Sequence, residues 1–276
     1  MLEFHVDVPH VFGAVMFGLF LGSALNMVVS RLPVYMQLQW QTQGLKVDPE
    51  LPEVLKPTKP KDGFFRSYCP HCQSELKLID QVPILSFALL RGKCRYCAQA
   101  LSWRYPLVEL TTGLLLAACV VVWGVSWQAF AAASFASCLF ALALIDWDAS
   151  LLPDVLTQPL LWAGLIVSAL RVSQVPLDQS LAGAVLGYLF MWIPYVVYKL
   201  LTGKEGMGHG DFKLTAAMGA WLGVGGLLPV ILFATLTGAI FGLIKKISGS
   251  LGNQGYFPFG PFLAMAGVLV LFGDSI

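Results

Sequence analysis

Charge is what this sequence has least of: 12% of its 276 residues are Asp, Glu, Lys or Arg, against 57% hydrophobic, and the mean hydropathy is +0.72. A chain so poor in charge is not an ordinary soluble domain, and an integral membrane protein is expected. The opening stretch, MLEFHVDVPH, has no basic residue to start a signal peptide. The apolar run behind it also lacks a small-residue cleavage site before Arg31, so the segment is expected to stay as a membrane helix. No internal repeat and no low-complexity tract is present, which sets aside repeat arrays. With a net charge of +1, nothing points to nucleic acid as a partner.

The basic residues lie mostly in one place. Eleven of the 17 Lys and Arg residues fall between Arg31 and Arg104, and apolar runs fill most of the remainder. A spanning helix needs about 20 apolar residues. Runs of that kind are expected at about 11–29, 106–124, 127–145, 155–172, 180–199, 213–226, 228–244 and 257–274, with the boundary between the sixth and seventh set by the stretch from Gly223 to Pro229. The expected fold is therefore an all-α polytopic helical bundle of about eight spans with a small cytoplasmic, zinc-ribbon-like insertion. The expected parts are a first transmembrane helix (1–29), a loop subdomain (30–105) and a helical core (106–276). Residues 41–62 are polar and Pro-rich enough to be a mobile part of the loop.

Basic residues accumulate on the cytoplasmic side of membrane proteins. Placing the basic loop inside puts the N-terminus outside, in the periplasm, and assigns 146–154, 200–212 and 245–256 to the inner face. Lys199, Lys204, Lys213, Lys245 and Lys246 then all fall at inner ends, and Arg171 is the exception. An inner-membrane, multi-pass protein in contact with lipid is expected.

Ionisable groups near spanning helices are costly unless paired or hydrated, so they call for an explanation. One acidic cluster, IDWDASLLPD, carries Asp146, Asp148 and Asp154 at the end of the third run. A second, MGHGDFKL, carries Asp211 between Gly210 and Phe212, with Gly208 and His209 ahead of it. The topology brings both to one membrane face. Two neighbouring carboxylates cannot both ionise cheaply, so one holds a proton while the other serves as base, which is what aspartic proteolysis needs. Glycines at 208 and 210 would permit positive φ and close approach of a substrate backbone. Lys213 could pair with a carboxylate or simply anchor at the interface. The bland alternative makes the acids solvated helix-end residues and the glycines a tight turn. A proton-coupled transporter, the rival from another class, would put its acids near mid-membrane instead of at helix ends. A scaffold or methyltransferase carried by the cysteine loop is a further rival.

Cys69-Pro-His-Cys72 and Cys94-Arg-Tyr-Cys97 pair two CxxC knuckles across 21 residues, a zinc-ribbon spacing. Cytoplasmic thiols stay reduced, and Lys93 and Arg95 would favour thiolates as ligands, so a closed structural zinc site is expected. His71 could stand in for a cysteine, although four thiols suffice. Cys119 and Cys138, inside apolar runs, are expected to be packing residues. Trp103, Arg104 and Tyr105 suit either interfacial anchoring or contact with a substrate, and Glu109 wants a partner such as Arg104 or a basic substrate segment.

GHGDFKL resembles the GxGD motif of the type IV prepilin peptidases, a family of membrane aspartic proteases. GSALNMVVSRLP (22–33), CPHC, CRYC, SWRYPLVELTTG (102–113) and IDWDASLLPDVLTQPLLW (145–162) resemble that family's blocks in the same order and cover most of the chain. Thr111 and Gln158 depart from the family pattern, and neither is a candidate acid. The resemblance implies a catalytic pair of Asp146 and Asp211, and prepilin or secretion-system pseudopilin substrates whose leader is removed at the cytoplasmic face. It also implies methylation of the new amino-terminus with S-adenosylmethionine in many members. No residue is assigned to that donor, and the oligomeric state is open.

Overall fold

The computed structural model describes residues 7–43, 68–69, 71–72, 74–204, 206–248 and 257–273; the Pro-rich stretch expected to be mobile lies outside these from residue 44 onward. Among the described residues the regular structure is helical, with only two isolated β-bridges, Tyr68 to Glu75 and Lys93 to Ala100. The chain forms two compact units, Met1–Ala129 and Phe130–Ile276.

In the first unit, α1 (Val8–Thr42) packs along α3 (Arg104–Trp123). Between them the chain forms a 3₁₀ turn (Leu78–Gln81) and the short helix α2 (Leu85–Leu89). Helix α1 continues past Arg31 into the segment expected to be loop, with Pro33 inside it. Its extension is not wholly exposed: Leu32 and Gln37 are buried. Packing therefore carries the helix beyond the point where apolar composition ends.

The second unit takes in most of α4 (Trp127–Ala149), then α5 (Asp154–Ala169), α6 (Leu177–Thr202), α7 (His209–Ile247) and α8 (Gly260–Gly273). Helix α7 packs against α5, α6 and α8 and so forms the centre of the unit. The fully buried Phe135, Leu139, Leu142, Phe212, Leu214, Met218 and Leu263 form its core, and Phe135 stacks on Trp221 at 4.8 Å between ring centroids. The Trp221 indole N–H donates to the Leu160 carbonyl at 2.7 Å, so this large ring is buried with its polar atom satisfied.

The expected break between the sixth and seventh runs falls at Gly223, where α7 leaves helical geometry (φ 69°, ψ −176°). That region of backbone space is open essentially to glycine alone. Counting the two halves of α7 separately, the eight expected apolar segments are all helical. Among the described residues five helices are long and apolar enough to cross a membrane, taking α7 as one, and α5 and α8 are shorter. Large apolar side chains stand exposed along α5, α6 and α7, including Trp162, Ile166, Val185, Phe190, Leu232, Leu236 and Leu243. Such a surface in water would be a large aggregation-prone patch, whereas in lipid it costs nothing.

Candidate active site and metal centre

Asp146 sits in the last turn of α4 and Asp211 in the first turn of α7, so both acids stand where a helix ends and its backbone groups need outside partners. Both are buried, at 5% and 9% exposure, and they are near enough that the charge of Asp146 acts on Asp211. Asp146 Oδ2 accepts the backbone N–H of Gly260, the first residue of α8, at 2.9 Å. Helices α4, α7 and α8 thus meet at the two carboxylates. Two buried acids from distant parts of the chain can share a water and a proton, the arrangement needed to hydrolyse an amide without a metal or a covalent intermediate.

The other residues singled out in the two motifs divide sharply. Asp154, the first residue of α5, is 58% exposed and forms a two-oxygen pair with Lys213 Nζ, at 2.7 Å to each oxygen. Of the two readings open for Lys213, pairing is the one observed. The pair ties the start of α5 to the first turns of α7, two residues after Asp211. An exposed pair of this kind contributes about 0–1 kcal/mol, so Lys213→Met is expected to shift thermal unfolding by only a few degrees and to leave the site intact; a collapse of the fold would contradict this. His209 packs against Tyr195 and Phe212, at 5.0 and 5.5 Å between ring centroids, and serves as a wall of the α6–α7 contact.

The two glycines do not take the positive φ expected of them. Gly208 precedes α7 in extended geometry (φ −74°, ψ 141°), and Gly210 lies within the helix. What Gly210 permits is close packing: a Cβ there would lie 2.7 Å from the Cβ of Leu152. The turn after α4 is thereby seated against the start of α7, and a side chain at this position would push the two acid-bearing segments apart. At Gly208 a Cβ would meet nothing nearer than Asp211 Oδ2, at 3.9 Å, so the space beside that carboxylate is open.

In the first unit, Cys69, Cys72, Cys94 and Cys97 bring their sulfurs within 4.8 Å of one another, and all four are free thiols. Sγ atoms of Cys69 and Cys97 are 3.9 Å apart, and those of Cys72 and Cys94 are 4.0 Å apart. A tetrahedral zinc site with bonds of about 2.3 Å has edges of about 3.8 Å, so the quartet fits that ion. Each knuckle is closed by its own backbone: Cys69 N–H donates to Ser74 O, and Cys94 N–H to Gln99 O. The Ser74 hydroxyl, 3.3 Å from Cys72 Sγ, and the Ser74 backbone N–H push that thiol down to about 6, within easy reach of the ligating thiolate form. Arg95 does not serve the thiolates as expected. Its guanidinium pairs at 2.7 Å with Asp80, whose side chain is 2% exposed and also accepts the Lys77 N–H. Asp80 thus links the 3₁₀ turn to the second knuckle. His71 is exposed, in keeping with a loop residue.

Glu109 is buried in α3 and accepts the backbone N–H of Ile84 at 2.8 Å. Ile84 has φ 57° and stands immediately before α2. The carboxylate therefore holds a positive-φ backbone position between the two cysteine knuckles. Glu109→Ala would orphan that N–H at a cost of about 1–3 kcal/mol. Faster limited proteolysis between residues 84 and 103 is expected; unchanged protection would refute this role.

Two family descriptions match the sequence: the Bacterial Peptidase A24 N-terminal domain over residues 16–123 and the Type IV leader peptidase family over residues 133–243. Curated relatives called prepilin leader peptidase/N-methyltransferase align along nearly the whole chain. One from Aeromonas salmonicida (strain A449) is 42% identical over 280 positions, covering 100% of this chain and 96% of the relative. Another from Xanthomonas campestris pv. campestris is 43% identical, covering 92% and 88%. A third, from Pseudomonas aeruginosa, is 42% identical, covering 95% and 90%. No solved structure matches the chain. With both matched regions laid over the two compact units and this identity sustained end to end, the chain belongs to the type IV leader peptidase family.

Proposed function

We propose that this protein is an inner-membrane aspartic endopeptidase that removes the leader of type IV prepilins or pseudopilins and then methylates the new amino-terminus. The observation that carries the proteolytic half is the pair of buried carboxylates, Asp146 and Asp211, delivered by two helices of one compact unit. A water held between them attacks the scissile carbonyl. One acid takes its proton, while the other, carrying the proton the pair shares, polarises the carbonyl oxygen and then supports departure of the amine. The titration that governs this belongs to the pair jointly. Gly208 and Gly210 act in support, one leaving space beside Asp211 and the other seating the α4–α5 turn, and Lys213 braces α5 through Asp154.

In this reading residues 1–29 are the first membrane helix, 30–105 the metal-stapled cytoplasmic insertion and 106–276 the protease core. The N-terminus is periplasmic, and the insertion and acids face the cytoplasm, as the lysine distribution supports. Zinc on Cys69, Cys72, Cys94 and Cys97 is structural: four protein ligands leave no coordination position for a reacting water. The methyl half rests on the relatives' names and on the presence of the cysteine insertion, with S-adenosylmethionine as donor. The test is cleavage of a prepilin by purified enzyme carrying Asp146→Asn or Asp211→Asn, each checked for folding; wild-type turnover by either variant would overturn the assignment.

A further inference from the structure

The backbone of Gly260 donates a hydrogen bond to the side chain of one candidate acid, Asp146, and neither acidic motif contains it. Its N–H donates to Asp146 Oδ2 at 2.9 Å, and both partners are buried. A Cβ at this position would lie 2.6 Å from the same oxygen and 3.0 Å from Asp146 Cγ. Contacts under 3.0 Å are not tolerated by real side chains, and here the obstacle is a short carboxylate on a packed helix, with little freedom to move away. The absence of a side chain is therefore what lets the hydrogen bond exist. Gly260 begins a helix of 14 residues, where the first N–H groups have no partner inside the helix. One of those orphan donors is spent on Asp146.

We propose that Gly260 is a positioning residue for peptide hydrolysis: through its backbone N–H it holds one oxygen of Asp146, leaving Oδ1 as the oxygen that works on the water. The inference rests on the catalytic reading of Asp146. A carboxylate free to rotate about its terminal bond would present either oxygen over a broad range of angles, because that torsion has no sharp minima. Fixing Oδ2 removes this freedom before substrate arrives. The rest of α8 is locked from behind, since Leu263, Ala264, Ala266 and Val270 are buried in the core of the unit. The donor cannot retreat without unpacking the helix. Preorganisation of this kind matters because misplacement of a catalytic group by about 1 Å can cost about 10²-fold in rate.

The test compares Gly260→Ala with Gly267→Ala, a change on the same helix. At residue 267 a Cβ would meet Leu139 Cδ1 at 3.0 Å and Met218 Sδ at 3.3 Å, far from any acid in sequence and contact. With purified full-length enzyme and a prepilin, Gly260→Ala is expected to lower kcat about 10²-fold with KM changed by less than about threefold. Gly267→Ala should lower Tm while keeping kcat within about threefold of wild type. Stability supplies a second readout that survives an inactive enzyme. If the new methyl group collides with Asp146, then the drop in Tm caused by Gly260→Ala should largely vanish on the Asp146→Ala background. A wild-type kcat for Gly260→Ala, with Asp146→Asn inactive, would overturn the positioning role alone. So would an equal drop in Tm on both backgrounds. Normal cleavage by Asp146→Asn would remove the catalytic reading, and this inference with it.

Discussion

Replacing either Asp146 or Asp211 by Asn is expected to lower prepilin cleavage by at least about 10³-fold, equivalent to about 4 kcal/mol of transition-state stabilisation. Asn keeps the shape of the side chain and can still accept the Gly260 N–H at position 146, so the fold should persist. What it cannot do is exchange a proton with water or with the substrate amine. The double variant should be no worse than the poorer single one, because two acids sharing one proton act as a unit and their losses do not add. Cleavage assayed over a range of substrate concentrations would show the loss in kcat. Methyl transfer to a pre-cut pilin provides the internal control, since the acids have no assigned part in it. Multiplicative losses in the double variant would argue for two independent roles and against a dyad.

The second large effect concerns the cysteine quartet. Purified protein is expected to hold about one zinc per chain, and Cys72→Ser or Cys94→Ser should abolish that stoichiometry. Binding to such a site is folding energy as much as it is metal affinity, with apparent values of about 10–16 kcal/mol for small zinc modules. Among the described residues the insert has little regular structure, two isolated β-bridges, a 3₁₀ turn and a five-residue helix, tied by the Asp80–Arg95 pair and by Glu109 on the Ile84 N–H. Removing the metal with a strong chelator should therefore expose residues 68–103 to limited proteolysis and make the four thiols reactive to alkylation. The same cuts should appear in the cysteine variants without chelator. Retention of the metal by Cys94→Ser, or of protease protection after complete metal removal, would defeat the structural assignment. The acids lie in the other compact unit, so metal content and proteolysis are the proper readouts here.

Much of the architecture is legible in composition because the bilayer imposes a simple rule. Backbone polar groups cannot be left unpaired in hydrocarbon, so a long apolar run must be a helix. For that reason the runs near 106–124, 127–145 and 180–199 match α3, α4 and α6 closely, and even the weak division at Gly223 is marked by a residue that tolerates the required backbone. The cysteine quartet was equally readable, since two CxxC turns at that spacing have few other uses. Composition failed where packing decides. Helix α1 continues to Thr42 because its polar extension is partly covered, and no count of apolar residues reports cover.

The acids illustrate the same division more sharply. Asp146, Asp148, Asp154 and Asp211 all stand at helix ends, and ordinary helix-end solvation explained any one of them. Burial separates them: Asp146 and Asp211 are enclosed, while Asp154 faces out and pairs with Lys213. Glu109 visibly needed a partner, yet nothing local identified the N–H of Ile84, 25 positions away. Gly260 could have drawn notice only as a Gly-Pro pair opening an apolar run, a common helix start. Its closeness to Asp146 spans 114 positions, a separation that hydrophobic periodicity and turn chemistry do not read. By itself, then, the sequence determined the membrane class, the helical segments, the cysteine quartet and the short list of acids, since each depends on local composition and spacing. Which acids are buried, what holds them and which glycines must lack a side chain were decided by tertiary packing, because those properties arise only when distant helices meet.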